Sequence, residues 1–325
     1  AFGVKPLVWS QRGTEFVFSS EAKAILNLGY ERAWNKEALK QIVSVQYTWN
    51  ETIFHNIKEV PAGHILELDI QSLKFKISKW FNYNGLEKYS VKEAIELAVR
   101  RRLETNKPYA MHLSGGIDSA IICALASRYK NIETYTIGFE GNWSEVDKAI
   151  KIAKHCGVKN NVIEVTHQEM LSVLPEALYH GEGIAINGHI GAKYLLNKRI
   201  HNDGYKINLS GEGSDELFLG YPFFREDFFK NTNNKEALEK LRKDNSYLGG
   251  HMISSNQNNI SGWLSAKTEF GNEMRKVTGL PELNNYNFPG HYLNDLMEQS
   301  IESWRMTCLS GYILKTLEDG QEMAH

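Results

Sequence analysis

Cysteine is scarce in this chain of 325 residues: there are 3, at Cys123, Cys156 and Cys308. An odd number at wide spacing argues against a disulfide framework and against a zinc site. A reducing, cytoplasmic compartment fits that usage. Nowhere do about eighteen apolar residues run together, so no bilayer-spanning helix is expected. A charge excess is missing too. The formal net charge is −2, which gives no reason to expect nucleic acid or a membrane surface as a partner. The start lacks a charged stretch followed by an apolar one, so no signal peptide is expected, and both ends read as cuts through a longer protein. Long-period repeats are absent as well. What remains is an ordinary mixture of apolar (42%) and charged (23%) residues, in a chain long enough for two domains.

Against that background two glycine clusters stand out. Ser114-Gly115-Gly116-Ile117-Asp118-Ser119 follows a short apolar run, Tyr109 to Leu113, and opens a helical pattern, Ile117 to Tyr129. Glycines let the backbone turn tightly and approach a ligand. The helix start adds unpaired N–H groups and a positive dipole end, which together suit phosphate oxygens. The Gly-Lys-Ser/Thr ending of a Walker A loop is missing, and the loop carries Asp118 instead of a lysine. A carboxylate beside phosphates makes sense if Mg²⁺ lies between them.

The second cluster is Leu209-Ser210-Gly211-Glu212-Gly213-Ser214-Asp215-Glu216-Leu217-Phe218, again after a strand-like run, Tyr205 to Leu209. Three carboxylates lie within residues 212–216, a dense negative charge that cations or metal-bound phosphate would balance. Taken singly, each cluster reads equally well as a turn. As a pair, at two strand ends, they fit one crevice at the carboxyl edge of a parallel sheet.

The wider pattern agrees. Residues 1 to about 80 are mixed and strand-rich. Leu7 to Trp9 and Phe16 to Phe18 flank one turn, Ile65 to Leu68 and Lys74 to Ile77 flank another, and Lys79 to Tyr83 closes the region. Ser90 with Glu93 predicts a capping box ahead of a helix from Val91. Strands are then expected at 109–113, 134–139, 161–165 and 205–209. Helices are expected at 117–129, 145–155, 168–179 and 190–202. Such alternation predicts an α/β fold with a parallel sheet covered on both faces. From about Arg225 the strands cease. A helix is expected at 235–243, a polar loop at Ser254–Asn259, and helix from Leu293 to Leu317 with an interruption near Gly311. Cys123 falls on the apolar stripe of its helix and reads as a core residue.

These residues match a pattern. The chain resembles the asparagine synthetase group of glutamine-dependent amide ligases, enzymes of amino-acid biosynthesis. Its Ser114–Ser119 loop is similar to the pyrophosphate loop of the N-type ATP pyrophosphatases, and LSGEGSDELFLGY at 209–221 to the group's second signature. Phe2 to Leu7, Ser19 to Ala24 and Val60 to His64 resemble the late glutaminase domain and its linker, and Glu318 to His325 the start of a further segment. The resemblance implies an adenine nucleotide α-hydrolase-like, Rossmann-like core after the remnant of an Ntn-type glutaminase domain. The boundary is expected at 82/83, with an α/β core at 83–224 and a helical part at 225–325.

It also implies a two-step reaction. A carboxylate, foremost the aspartate side chain, attacks the α-phosphorus of ATP, and ammonia then displaces AMP. Ser114, Gly115, Gly116 and Ser119 would hold the pyrophosphate end, and Asp118 and Asp215 would hold Mg²⁺. Leu113 and Ile137 would touch the nucleoside, and Ser210 and Gly211 would line its site. Glu212 would serve catalysis, although a capping or metal-bridging carboxylate is the plainer alternative. Lesser candidates are His189, which could reach substrate but reads rather as a cap or packing histidine, and Arg225 and Asp227, which could bind a substrate carboxylate or ammonium or equally begin a solvated helix; Asp147 reads as support for a helix start. Small-molecule substrates are the implied partners, with a homodimer left open. The chain begins at Ala1 inside the glutaminase pattern, without its N-terminal cysteine, so no glutamine hydrolysis is expected of this span. It stops at His325, ahead of a segment that carries a phosphate-binding lysine in the group. Two other readings stay open: an adenylating enzyme with another acceptor, of the β-lactam synthetase or lasso-peptide cyclase type, and a non-catalytic nucleotide-binding protein.

Overall fold

The computed structural model describes residues 2–43, 50–81, 89–139, 145–183, 185, 188–221, 224–244, 273, 275–279, 293–322, 324 and 325. The expected boundary at 82/83, the polar loop Ser254–Asn259, Asn142 to Ser144, Asn187, Pro222 and Phe223 lie outside the described residues. Two compact units emerge. One comprises Ala1–Phe81 and Gly213–Lys315, the other Asn82–Glu212 and Thr316–His325.

The first unit opens with an antiparallel sheet. Strands β1 (Val8–Arg12) and β2 (Glu15–Ser19) form the first expected hairpin, and β3 (Lys58–Glu59) pairs on the other side of β1. Between them run helices α1 (Ala22–Asn27) and α2 (Lys36–Val43). Val8, Ala22, Ile25, Leu26, Tyr30 and Ile57 close a small core. Strands β4 (His64–Leu68) and β5 (Phe75–Lys79) make the second hairpin. Trp9 stacks on Phe16 at 5.3 Å and meets Phe75 edge-on at 4.6 Å, joining the hairpins through aromatic area.

The second unit carries the parallel sheet. Helix α3 (Val91–Arg102) starts with the expected capping box: Ser90 accepts from the Glu93 N–H, and Glu93 accepts from the Ser90 N–H. Then follow β6 (Tyr109–His112), α4 (Ile117–Ala126), β7 (Ile132–Phe139), α5 (Val146–Cys156), β8 (Lys159–Val165), α6 (His167–Ser172), α7 (Leu174–Gly181), α8 (His189–Asn202) and β9 (Ile207–Leu209). All pairings are parallel, in the order β8-β7-β6-β9. Alternate residues of β6 point to opposite faces, as strand geometry requires. Tyr109 and Met111, with Leu113 beyond the strand, pack against α3, α4 and α5, where Cys123 is buried as expected. Ala110 and Tyr135 pack against Leu196 and Ile200 of α8.

Several expected boundaries shift for local reasons. The helix expected at 168–179 is two helices, broken at Val173, because Pro175 follows directly; its ring carries no N–H and crowds the carbonyl four residues back. Tyr205 is not in β9. Its N–H donates to the Ile200 carbonyl at 3.2 Å, closing the end of α8, so it is spent before the strand begins. Helix α4 ends at Ala126, and the next N–H groups bond back in turns rather than extending it to Tyr129.

The chain then returns to the first unit. Described there are α9 (Ser214–Phe218), α10 (Phe224–Asn231), α11 (Lys235–Asp244) and α12 (Leu296–Trp304), followed by a π-wound segment, Arg305–Asp319, whose residues from Thr316 onward belong to the second unit. No interruption occurs at Gly311; the change is one of winding, at Arg305. Among the described residues no strand follows β9. Helix α10 is not a solvated helix at Asp227: that side chain is buried and accepts from the Ser300 hydroxyl of α12 at 2.6 Å. Among the described residues no helix is long and apolar enough to cross a membrane.

Candidate active site

The strand order decides where a ligand can sit. From β6 the chain proceeds to β7 and β8 on one side, then crosses to place β9 on the other side of β6. The switch point of the sheet therefore lies between β6 and β9, and open α/β sheets bind ligands outside the carboxyl ends of the strands at that point. Met111 pairs with Leu209, so the two strands end level with each other. The Ser114 bend leaves β6 there, and the Ser210 bend leaves β9.

The first bend is braced by its own serines. The Ser114 N–H donates to Ser119 Oγ at 3.3 Å, and the two hydroxyls lie 3.1 Å apart. Ser119 Oγ donates to the Gly116 carbonyl at 3.1 Å, and the Gly116 N–H donates to Ser114 Oγ at 3.2 Å. Ser119 is buried while Ser114 is exposed. Gly115 has φ +86°, in the left-handed region, and a Cβ there would lie 2.9 Å from the Glu145 carbonyl oxygen and from Lys148 Cβ. Only glycine satisfies both conditions. Gly116 is the N-cap of α4 and no side chain caps that helix, so its first-turn N–H groups face the bend.

The second bend packs on that same helix start. A Cβ on Gly211 would lie 3.0 Å from the Ser119 amide nitrogen and 3.2 Å from Asp118. The two glycine clusters thus meet backbone to backbone at the N-terminus of α4. Leu113 is buried, its N–H donating to the Tyr135 carbonyl at 2.9 Å. Ile137 packs in the α8-side cluster, whereas Leu113 belongs to the α4-side core, so their side chains lie on opposite faces of the sheet. Asp215 lies in the first turn of α9 in the other unit, its carboxylate against Gly220. His189 starts α8 and is exposed; Asp147 lies in the first turn of α5.

Three residues of consequence lie outside the sequence reading of the site. Lys193, on α8, sets its ammonium between Glu212, at 3.0 Å, and Glu318, which it also contacts. Burial pulls the lysine down, but the two carboxylates outweigh it and hold its pKa above the ordinary lysine value. The third is His112, buried at the end of β6, whose Nε2 lies 3.1 Å from Asn197 Oδ1 and 2.7 Å from Asn208 Nδ2. Burial, aided by the charge of Lys193, pushes its imidazole down to about 3, so it is neutral. Lys193 shares its helix face with Ile190, Leu196 and the polar Asn197, and a polar pair on a largely buried helix was the available signal. Its partners lie 19 and 125 residues away, beyond any local pattern.

Among the described residues no group of three or more His, Cys, Asp or Glu side chains is placed to hold a metal by itself. Mg²⁺ needs less from a protein: one or two carboxylates, with phosphate oxygens and water completing its shell. Asp118, in the first turn of α4 beside the Ser114 bend, has the donor type for that chemistry.

Family models match most of the chain. Residues 90–314 match the family described as asparagine synthase, and residues 1–81 match a glutamine amidotransferase domain. The chain is similar to asparagine synthetase B [glutamine-hydrolyzing] of Escherichia coli (strain K12), 30% identical over 245 residues, covering 67% of this chain and 43% of that protein. It is similar also to asparagine synthetase [glutamine-hydrolyzing] 1 of Bacillus subtilis (strain 168), 29% identical over 235 residues, covering 69% and 37%. The chain thus spans less than half the length of these relatives. Among solved structures, a glutamine-dependent NAD+ synthetase from Acinetobacter baumannii, in complex with ADP, matches with 18% identity and a TM-score of 0.31, over 62% of this chain and 47% of that one.

Proposed function

The chain belongs to the asparagine synthase family, and from that premise we propose that it is the nucleotide-binding part of an ATP-dependent amide ligase that makes asparagine from aspartate. The aspartate side-chain carboxylate attacks the α-phosphorus of ATP, and pyrophosphate leaves. Ammonia then attacks the acyl carbon of the adenylate, and AMP leaves with the C–O bond electrons. Glutamine is the nitrogen source in this reading, in keeping with the amidotransferase match at residues 1–81.

The observation that carries the proposal is the apposition of Gly211 and the start of α4 at the switch point of the sheet. Little covalent chemistry is asked of the protein; the work is positioning and charge stabilisation. N–H groups of the first α4 turn, with the Ser114 hydroxyl, bind the departing pyrophosphate. Ser119 braces the bend from inside. Leu113 and Ile137 flank the nucleoside, and Ser210 and Gly211 wall its site. Asp118 would hold Mg²⁺, and Asp215 is a further carboxylate candidate for it; the ion would supply charge neutralisation of the phosphates. Glu212, at the rim, takes the proton that the ammonia nitrogen sheds as its bond to the acyl carbon forms.

Pyrophosphate release from ATP by the full-length protein tests this. Pyrophosphate release that requires aspartate, with asparagine formation abolished in Glu212→Gln, supports the proposal. Release with a larger acid but not aspartate shifts the acceptor to the lactam- or cyclase-forming type. ATP binding without turnover on any acid overturns the ligase reading.

A further inference from the structure

Lys193 presents a problem of charge. A lysine beside a site built for a triphosphate is drawn to phosphate oxygens, yet here its ammonium is turned into a pair of carboxylates. Its side chain is 19% exposed and that of Glu318 8%, while Glu212 stands at the rim with 35%. One cation serves two anions, and the groups around it are Glu212, Glu318 and the neutral His112. Glu318 arrives from the end of the chain. That segment is seated on α7 and α8 by Gln321, which donates to the Ala177 carbonyl at 2.9 Å, and by His325, whose ring lies 4.6 Å from that of Tyr194. A buried carboxylate is costly to desolvate unless it is paired. Pairing it with Lys193 makes the ammonium expensive to remove.

We propose that Lys193 is a positioning residue for Glu212, and that Glu318 is the anchor that keeps Lys193 in that role. The ammonium fixes the Glu212 carboxylate in one rotamer beside the Gly211 bend, ready for the incoming amine. Glu318 holds the ammonium back from the phosphates, so the lysine acts on the carboxylate and not on ATP. The inference rests on the role assigned to Glu212 above.

Two measurements on the full-length protein test it. In steady-state amide synthesis, Lys193→Met lowers kcat at least about tenfold while the KM for ATP stays within about twofold, and Lys193→Arg restores most of the rate. Glu318→Gln lowers kcat and also lowers the KM for ATP, because the released ammonium turns to phosphate. The second measurement needs no turnover: competitive acetylation of lysines, read by peptide mass spectrometry. Lys193 is protected in the wild type and becomes several-fold more reactive, about threefold or greater, in Glu212→Gln, a change burial alone does not produce. Unchanged kcat in Lys193→Met, a raised KM for ATP at unchanged kcat, or labelling indifferent to Glu212→Gln each overturns the proposal. Should Lys193→Met fail to fold, Lys193→Arg, Glu318→Gln and the labelling decide it. If the wild type releases no pyrophosphate on any acid, the ligase reading falls, and the labelling still decides whether the clamp exists.

Discussion

Gly211 lies against the backbone of Ser119, so that a Cβ on the glycine would come within 3.0 Å of the Ser119 amide nitrogen. The residues are far apart in sequence and come from different strand ends. Their contact turns two separate bends into one wall, and it has no spare room: the opposing atoms are backbone, which cannot swing aside as the end of a side chain can.

Gly211→Ala is therefore expected to push the second bend off α4. Overpacking of this kind costs about 1–3 kcal/mol, and the damage falls on the nucleotide site. ATP affinity should drop at least about tenfold, roughly 1.4 kcal/mol, with a lowered melting temperature. Isothermal titration and calorimetry check both; wild-type affinity in the variant would contradict the shared wall.

Gly115 and Gly157 make a matched pair. Both have positive φ, +86° and +68°, but a Cβ at Gly115 meets Glu145 and Lys148 at 2.9 Å, whereas nothing lies within 4 Å of Gly157. Gly157→Ala should cost only the left-handed strain, about 1–2 kcal/mol, and leave ATP binding intact. Gly115→Ala should cost more and abolish ATP binding. Urea midpoints and ATP titrations distinguish the two; equal losses in both variants would show that the Gly115 contacts do not matter.

Asp118 lies in the first turn of α4, and the proposed function gives it Mg²⁺ to hold. Asp118→Asn keeps its shape and removes its charge. The Mg²⁺ concentration for half-maximal pyrophosphate release should rise about tenfold or more, and chelation by EDTA should stop the wild-type reaction until Mg²⁺ is restored. An unchanged Mg²⁺ dependence in Asp118→Asn would remove Asp118 from the metal shell.

His112 sets an acid limit on stability. Burial first, then the charge of Lys193, hold it at about 3, against the Asn197 hydrogen bond and Glu212, which raise it. An unfolded histidine titrates near about 6.5. Below that value the unfolded chain takes up a proton that the folded chain refuses. Stability is therefore full above about pH 6.5 and falls as pH drops toward about 3, by at most about 1.4 kcal/mol per unit. His112→Gln should flatten this slope by about one proton in urea unfolding measured from about pH 6 to about pH 4. Identical slopes in the two proteins would show that His112 is not the proton acceptor.

Much of this molecule is written locally. The capping box at Ser90 and Glu93, the two hairpins, the alternation of strands and helices, and glycine where the backbone must turn are all decided by residues within a few positions of one another. Side-chain periods of two and 3.6 suffice to predict them. The break at Val173 was equally local, since Pro175 announces it, and the helical periodicity of its neighbours masked it. Tyr205 looked like strand because its side chain is apolar and aromatic; its amide had been claimed by the end of α8.

Tertiary structure decided the rest. Only the crossing of β9 to the far side of β6 brings Gly211 to Ser119, and no local pattern encodes strand order. The clamp on Glu212 depends on partners 19 and 125 residues distant along the chain. Leu113 and Ile137 read alike as buried sheet residues, yet the register places them on opposite faces. Asp227 read as a substrate contact or a solvated helix start and is buried against Ser300. The physical reason is common to all four. Propensity and periodicity act between neighbours in sequence, while electrostatic pairing and steric fit act between neighbours in space, and folding alone converts one kind of neighbour into the other.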